Sequence, residues 1–303
     1  CTIYVLSSPI NDILSSLSTM FIFWGILTIV DGIFSYFTMH TNYVISLKTA
    51  VQRREHICKE FGKHHIPFEF YDALTPSEEL DQLIQIHLPN LAHANLSAGE
   101  KGCFMSHYML WKKCLDENLP YIYIFEDDIL IGENAEKFLI EDTWLSARFS
   151  EDDAFVLRFE TFLNYSKCIE ANIPSYCERN ILKLVVENCG TAGYVISKNA
   201  IIRLIEFITN LSSKALSPID LIMFNRFNQD TYQLVPALCV QESQIQSKNI
   251  NLVSQLQSER EIIHEGKKKT ILYRLRSLYY KPKKIYKKIY KKLFKNRYIV
   301  PFK

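Results

Sequence analysis

The feature that most constrains the fold of this chain is an alternation between two kinds of segment from residue 42 to residue 265. Short runs rich in β-branched and aromatic residues alternate with longer, helix-like stretches, which predicts an α/β domain with a partly parallel sheet. The predicted strands are Tyr43–Leu47, Pro67–Tyr71, Tyr121–Phe125, Ala154–Phe159 and Gly193–Ile196. The predicted helices are Ala50–His64, Gly99–Glu117, Asn134–Leu145, Lys198–Asn210 and Ile219–Asn228.

Composition and charge exclude several protein classes. The chain has 303 residues, of which 48% are hydrophobic and 13% aromatic, so it is too apolar for a disordered chain. Its net charge of +2 conceals an asymmetry, because residues 267–303 hold 15 Lys and Arg but no Asp or Glu. The other 266 residues hold 20 basic and 33 acidic side chains. An acidic body excludes a globular nucleic-acid-binding domain, whose positive charge would lie on its folded part.

Residues 1–41 form an apolar segment that differs from the body. Eighteen uncharged residues separate Asp12 from Asp31, close to the shortest length that spans a bilayer. No Lys or Arg precedes Lys48, so the basic start of a secretory signal peptide is missing. Because Met39 lies just before the first predicted strand, two interpretations stay open. The segment is either a membrane anchor that leaves the body in the cytoplasm, or upstream translation.

The C-terminal residues 266–303 have the pattern of a basic amphipathic helix. Apolar residues recur at Ile285, Ile289 and Leu293, with lysines between them and Pro282 before them. Such a helix is typical of proteins at an anionic membrane surface, although a nucleic-acid-binding or a solvated tail has a similar composition. We expect peripheral association with the inner face of the cytoplasmic membrane and no nucleic-acid partner.

The triplet Glu126-Asp127-Asp128 directly follows the predicted strand Tyr121–Phe125. Ligands of α/β sheets bind beyond the carboxyl ends of strands, so this position favours a functional role. Carboxylates at alternate positions suit a hard divalent cation and the diphosphate that it neutralises. A cluster of acids before a helix is the alternative interpretation. An identical triplet, Glu151-Asp152-Asp153, lies in a polar loop and is expected to have no such role.

Other polar residues also follow predicted strands. Arg53 and Arg54 lie near a helix start, where cations could hold a phosphate or a base edge, although ordinary surface charge is the alternative. Asp72 ends a strand and could accept a hydrogen bond from a ribose or a base, or simply form a turn. Ser106 and His107 are polar positions in a largely apolar helical segment, where a buried histidine is more often structural.

Six groups of residues occur along positions 42–245 in an order that resembles glycosyltransferase family 25, the bacterial lipooligosaccharide galactosyltransferases whose animal relatives glycosylate collagen. The groups are Asn42–Leu47 with Arg53-Arg54, Phe70–Ala73, Leu96–Cys103 with Ser106-His107 and Leu110-Trp111, Tyr123–Asp128, Gly190–Tyr194, and Ser217–Asp220.

The resemblance implies a GT-A type fold, in which a Rossmann-like mixed sheet is flanked by helices. It also implies a UDP-sugar donor, usually UDP-galactose, and a Mn²⁺ or Mg²⁺ ion. By this analogy Asp128 and Glu126 hold the metal, and His264 is a speculative further ligand. The residues expected to bind the donor are Ser46, Arg53, Arg54, Asp72, Ser106, His107, Glu126 and Asp127.

The resemblance further implies inversion at the anomeric carbon, which requires a carboxylate that deprotonates the acceptor hydroxyl. Asp220 is the candidate base and Glu160 the second candidate, although Asp220 could instead be an acid that stabilises a helix start. Gly190 and Thr191 are expected either to let a sugar approach the backbone or to form a simple connector.

The expected activity is β-1,4-galactosyl transfer to a terminal sugar of lipooligosaccharide or lipopolysaccharide core. The acceptor would then be a lipid-linked oligosaccharide at the membrane. A catalytically silent module that binds a sugar nucleotide or a glycan with the same fold is the alternative.

Overall fold

The computed structural model of the chain describes residues 40–186, 189–227, 230–245 and 298–303. The expectations for the N-terminal segment up to residue 39, for His264 and for the basic tail up to residue 297 concern residues outside these ranges. In the described residues, no helix is both long enough and apolar enough to cross a membrane.

A large mixed β-sheet forms the centre of the domain and confirms the expected α/β class. Nine strands of the described ranges lie in the order β12-β7-β8-β10-β5-β9-β3-β1-β2, while β4, β11 and β6 form a small second sheet. The strands are β1 (Asn42–Ser46), β2 (Glu69–Asp72), β3 (Tyr121–Glu126), β4 (Ile129–Ile131), β5 (Val156–Arg158), β6 (Glu160–Thr161), β7 (Tyr165–Tyr176), β8 (Arg179–Val186), β9 (Gly193–Ser197), β10 (Thr231–Val235), β11 (Cys239–Gln241) and β12 (Tyr298–Ile299).

The direction of the central strands determines where the polar residues meet. β1 is parallel to β2 and to β3, with Ser46 opposite Asp72 and Ile45 opposite Glu126. β9 runs antiparallel to β3, so its first residue, Gly193, lies opposite Phe125. The carboxyl ends of β1, β2 and β3 and the segment that leads into β9 therefore meet at one edge of the sheet, where α/β sheets bind ligands.

Helices cover both faces of the sheet. Alternate residues of β1 enter opposite cores, with Tyr43 and Ile45 in one and Val44 in the other, because side chains alternate across a strand. The helices are α1 (Val51–Lys63), α2 (Glu78–His87), α3 (Pro89–Ala92), α4 (Ala98–Asp116), α5 (Glu136–Leu139), α6 (Thr143–Ser146), α7 (Lys198–Thr209), α8 (Ile219–Leu221) and α9 (Glu242–Ile245). A 3₁₀ turn at Ser213–Ala215 and a π-helical turn at Ile222–Arg226 flank α8.

The start of α4 is fixed by local hydrogen bonds. The Ser97 hydroxyl accepts from the Glu100 amide at 3.1 Å, and the Glu100 carboxylate accepts from the Ser97 amide at 2.9 Å. This reciprocal pair satisfies two amides that the helix leaves without partners. The apolar face of α4, including Phe104 and Trp111, packs in the core, and Ser106 and His107 line the cavity together with Glu126.

The structure differs from the sequence expectation in several regions, and α2, β4, β10 and β11 have no predicted counterpart. The predicted helix Asn134–Leu145 is two short helices, α5 and α6, because residues 140–142 leave the helical path. The segment after residue 164 contains a long hairpin, β7–β8, which the sequence does not predict. β7 pairs irregularly with β8, with register shifts after Lys167, Glu170 and Ile173.

The last six residues belong to the folded domain. Tyr298 and Ile299 pair with β7, and the Ala237 amide donates to the Pro301 carbonyl at 2.7 Å. The buried Arg179 donates to the Lys303 carbonyl at 2.6 Å. Residues 298–303 therefore do not belong to the helical tail that the sequence predicts for residues 266–303, because strand pairing holds them.

Candidate active site

A cavity of about 580 Å³ opens at the carboxyl ends of β1 and β3, within the size range of small-molecule sites. It brings together most of the residues selected from the sequence. The selected residues that line it are Ser46, Arg53, Ser106, His107, Glu126, Asp127, Asp128, Gly190, Thr191 and Asp220.

Asp127 connects the ends of β1 and β3. Its carboxylate accepts from the Ser46 hydroxyl at 2.7 Å and from the Arg53 guanidinium at 2.5 Å. The same guanidinium nitrogen lies 3.9 Å from the nearer carboxylate oxygen of Asp128. Asp127 and Asp128 form the turn between β3 and β4, so they do not cap a helix. Asp127 thus orients the cationic Arg53 beside Asp128.

Glu126 lies at the end of β3 and is held from two sides. Its carboxylate accepts from the Thr191 hydroxyl at 2.7 Å and lies 3.7 Å from Nε2 of the buried His107. Burial alone would raise the pKa of Glu126, but His107, Thr191 and the charge of Arg53 outweigh it and lower the pKa. Glu126 is therefore held as a carboxylate anion at the cavity.

The buried ring of His107 is itself fixed by hydrogen bonds. Its Nδ1 lies 2.9 Å from the Tyr194 hydroxyl, and Trp111 donates to the same hydroxyl at 3.0 Å. All three side chains are buried, so the orientation of the imidazole toward Glu126 is determined by the core.

Asp128 is a carboxylate in surroundings that disfavour its charge. Burial, together with the charge of Glu126, raises the pKa of Asp128 to about 7. The Gln241 amide donates to it at 3.4 Å. Three carboxylates thus meet around Arg53, and this local excess of negative charge favours a bound cation.

The donor set fits Mn²⁺ or Mg²⁺. Among the residues that the structure describes, no cluster of three His, Cys, Asp or Glu side chains could hold a metal ion. Mg²⁺ commonly takes only one or two carboxylates and completes its shell with phosphate oxygens and water. Glu126 and Asp128 match that requirement, since both carboxylates line the cavity.

Asp220 reaches the cavity from the start of α8. Its carboxylate accepts from the Leu221 amide at 2.9 Å and from the Gly190 amide at 3.2 Å. It therefore contacts a helix start, as the alternative interpretation holds, and it also lines the cavity. Gly190 is followed by Thr191, whose hydroxyl donates to Glu126. The base candidate Asp220 is therefore connected to Glu126 through these two neighbouring residues.

Glu160 lies outside the cavity lining and is buried. It accepts from the Ala192 amide at 2.9 Å and lies 3.3 Å from the Arg158 guanidinium, which donates to the Gly190 carbonyl. Burial raises its pKa to about 8. A base must reach the acceptor hydroxyl, so this position disfavours Glu160 as the base and makes it a support of the Gly190–Ala192 segment.

Arg54 and Asp72 also lie outside the cavity lining. They form an ion pair with each other, and Arg54 donates to the Ser46 carbonyl at 3.1 Å. Its guanidinium lies 4.6 Å from the centre of the Phe70 ring. The structure thus places both residues where they brace the ends of β1 and β2, away from the position expected for donor binding.

Ser106 lines the cavity but has both hydrogen-bonding roles occupied. Its hydroxyl accepts from the Leu74 amide at 2.9 Å and donates to the Gly102 carbonyl at 2.8 Å. A Cβ at Gly102 would lie 2.4 Å from the Leu74 carbonyl, so this glycine permits the close approach. Ser106 therefore fixes the loop that forms one wall.

The second acidic triplet, Glu151–Asp153, is exposed and does not line the cavity, as expected. Asp153 accepts from the Ser150 amide of its own loop at 2.7 Å.

Sequence reasoning missed several residues of the cavity wall. They are Phe162, the loop Ala73–Pro76, Gln241, Ser243 and Gln244. Phe162 and the loop follow predicted strands, so the rule that ligands bind after strands could have found them. Gln241 ends β11, a strand of three residues with no sequence signal of its own.

Comparison with known proteins identifies the family of the chain. Residues 39–223 match the family model described as glycosyltransferase family 25 (LPS biosynthesis protein). The lipooligosaccharide biosynthesis protein lic2B of Haemophilus influenzae is 60% identical over 266 residues, covering 88% of this chain and 100% of that protein. The lacto-N-neotetraose biosynthesis glycosyltransferase LgtB of Neisseria meningitidis serogroup B is 49% identical over 206 residues, covering 66% of this chain and 75% of that protein.

Among solved structures, a glycosyltransferase involved in the glycosylation of the major capsid of PBCV-1 has 10% sequence identity and a TM-score of 0.33. The match covers 67% of this chain and 93% of that one, and it is too weak for residues to be matched. The family model and the two sequence relatives decide the assignment, and the chain belongs to glycosyltransferase family 25.

Proposed function

We propose that this glycosyltransferase moves galactose from UDP-galactose to a terminal sugar of lipooligosaccharide, with inversion at the anomeric carbon and formation of a β-1,4 linkage. The proposal includes a GT-A type architecture and a divalent ion, Mn²⁺ or Mg²⁺. Relatives named for lipooligosaccharide and lacto-N-neotetraose biosynthesis support the acceptor class.

One observation carries the proposal. The carboxylates of Glu126 and Asp128 line a cavity at the carboxyl end of the central sheet, beside Arg53, and burial raises the pKa of Asp128 to about 7. A concentration of negative charge that lacks enough cationic neighbours favours a divalent ion together with a diphosphate. The family model and a relative named as a glycosyltransferase favour the enzyme over a catalytically silent binding module.

Glu126 and Asp128 would hold the metal, and when bound it neutralises the charge that develops on the leaving diphosphate. Arg53 orients the carboxylate cluster and adds a positive charge at the same place. Thr191 and His107 keep Glu126 ionised and directed at the cavity.

Asp220 takes the proton of the acceptor hydroxyl in this proposal. An inverting displacement needs a base on the side opposite the leaving group, and Asp220 is separated from Glu126 by the Gly190–Thr191 segment. Its hydrogen bonds from the Gly190 and Leu221 amides hold the carboxylate in one orientation.

We also propose that the protein acts at the inner face of the cytoplasmic membrane. The support is the composition of residues 267–297, which contain 14 basic and no acidic side chains. Each basic residue near anionic headgroups contributes about 1 kcal/mol.

The test is transfer of radiolabelled galactose from UDP-galactose to a soluble oligosaccharide, with and without EDTA. We expect EDTA to abolish transfer, Mn²⁺ or Mg²⁺ to restore it, and Asp128→Asn to lower it at least about 100-fold. Asp152→Asn is the matched control, because it makes the same change in the exposed triplet. Full activity in EDTA, or in Asp128→Asn, would contradict the metal assignment.

A further inference from the structure

We propose that Phe162 is the platform on which the acceptor sugar stacks, so that Phe162 and Asp220 together form the acceptor subsite. This inference rests on the proposed function. It assigns the acceptor to the wall of the cavity that Phe162 forms, and it makes Phe162 a residue that determines acceptor affinity.

Phe162 is distinctive among the residues around the cavity. Of the lining residues that the structure describes, it is the single phenylalanine, tyrosine or tryptophan. Its side chain is partly exposed, and it is absent from both hydrophobic cores formed by the described residues. An aromatic ring that faces a polar cavity without contributing to a core is available for a ligand.

The backbone around Phe162 is held in an unfavourable conformation. Leu163 has a φ of +52°, a left-handed value that costs a non-glycine residue about 1 kcal/mol or more. Its amide donates to the Thr161 hydroxyl at 3.1 Å, and that hydroxyl donates to the Val300 carbonyl at 2.8 Å. The turn is thus fixed from both sides, and it directs the Phe162 ring into the cavity. Strain of this kind is concentrated at functional sites.

Gly190 connects the ring to the candidate base. A Cβ at Gly190 would lie 2.0 Å from a ring carbon of Phe162, so the ring packs directly on the glycine backbone. The amide of the same glycine donates to the Asp220 carboxylate at 3.2 Å. Phe162 and Asp220 are therefore neighbours across a single residue that has no side chain.

The order of contacts along the cavity assigns this end to the acceptor. Arg53 and Asp128 form the charged end, Glu126 and Thr191 follow, and Gly190 with Phe162 and Asp220 comes last. The donor diphosphate requires the charged end, so the sugar that presents its hydroxyl to Asp220 lies over Phe162. The carbon-bound hydrogens of a pyranose form an apolar face that packs on an aromatic ring.

The experiment compares the full-length protein with Phe162→Leu and Phe162→Tyr in transfer from UDP-galactose to methyl β-glycosides of glucose, galactose and N-acetylglucosamine. With the glycoside that the wild type uses best, we expect Phe162→Leu to raise the acceptor KM about tenfold or more. Phe162→Tyr, which keeps the ring, should stay within twofold of the wild type. In Phe162→Leu the donor KM should change by less than the acceptor KM.

Tyr165→Leu provides the matched control, because Tyr165 is 61% exposed on β7 and does not line the cavity. It should leave both KM values unchanged. An unchanged acceptor KM in Phe162→Leu would overturn the inference, and so would a rise confined to the donor KM.

Failure of the proposed function would have a different signature. If the wild type neither transfers nor hydrolyses UDP-galactose, the donor assignment is wrong, and glycoside binding is then measured directly by saturation-transfer NMR. Binding that is lost in Phe162→Leu and kept in Phe162→Tyr would still support the platform, whereas equal binding by the wild type and Phe162→Leu would refute it.

Discussion

Replacing Gly190 with alanine tests the close packing at the acceptor end of the cavity. The glycine has a φ of +95°, and a Cβ there would lie 2.0 Å from the Phe162 ring and 2.6 Å from the Glu160 carboxylate. Non-bonded carbons separate to about 3.5 Å, so the ring or the backbone has to move by about 1.5 Å.

Two costs determine the expected size of the effect. The positive φ costs alanine about 1–2 kcal/mol, and overpacking adds about 1–3 kcal/mol. We therefore expect the free energy of unfolding to fall by about 2–5 kcal/mol. Transfer should fall about 100-fold, because a shift of about 1 Å in a positioning segment has effects of that order.

Urea denaturation followed by circular dichroism measures the stability, and transfer from UDP-galactose measures the activity. Gly62→Ala is the matched control, since Gly62 lies in α1 and a Cβ there would contact nothing within 4 Å. That variant should be more stable by about 0.4–1 kcal/mol and fully active. If Gly190→Ala keeps both the stability and the transfer rate of the wild type, the packing of Gly190 against Phe162 and Glu160 is not as described.

Three further predictions concern the base, the buried carboxyl and the C-terminal residues. Asp220→Asn should lower kcat for transfer about 100-fold or more while the donor KM stays within twofold, and unchanged kcat would exclude Asp220 as the base. Because burial raises the pKa of Glu160 from 4.5 to about 8, folded protein retains a proton that unfolded protein loses in this range. The free energy of unfolding should therefore fall as pH rises from 5 to 8, by up to about 1.4 kcal/mol per pH unit more in the wild type than in Glu160→Gln. The same pH dependence of this free energy in both proteins, measured by urea denaturation, would contradict the prediction. Deleting residues 267–297 should remove binding to anionic vesicles and retain transfer to soluble glycosides. Deleting residues 298–303 should instead lower the melting temperature, because Arg179 and Thr161 lose their carbonyl partners. Equal melting temperatures for the two deletions would refute the structural role of the last six residues.

The central part of the fold could be predicted from the sequence because local and long-range preferences agree there. β1 and β3 are short apolar runs buried on both faces, and α4 carries its own start signal in Ser97 and Glu100. The rule that ligands bind after parallel strands then selected the Glu126–Asp128 triplet, and the family resemblance added Ser46.

The β7–β8 hairpin could not be predicted, because its turn lacks the usual residues. Cys177 and Glu178 both have positive φ values, 43° and 61°. Asn and Gly normally occupy this conformation, and their presence in a sequence predicts such a turn. β7, the strand before this turn, is largely exposed, so it lacks a buried apolar run.

The positions of Arg54, Asp72 and Glu160 depend on tertiary contacts that no local pattern encodes. Arg54 and Asp72 pair with each other outside the cavity, and Glu160 turns inward to the Ala192 amide. A charged residue after a strand can face the ligand or brace the backbone, and packing decides which.

The irregular course of β7 bears on how a strand of another molecule could pair with it. β12 pairs only with Tyr165 and Ser166, and the rest of the outer side of this twelve-residue strand pairs with no other strand that the structure describes. A strand edge without a partner invites addition of a strand from another molecule. The register shifts, the left-handed Asn172 and the missing amide of Pro174 interrupt the edge, and they should keep concentrated protein from associating through it.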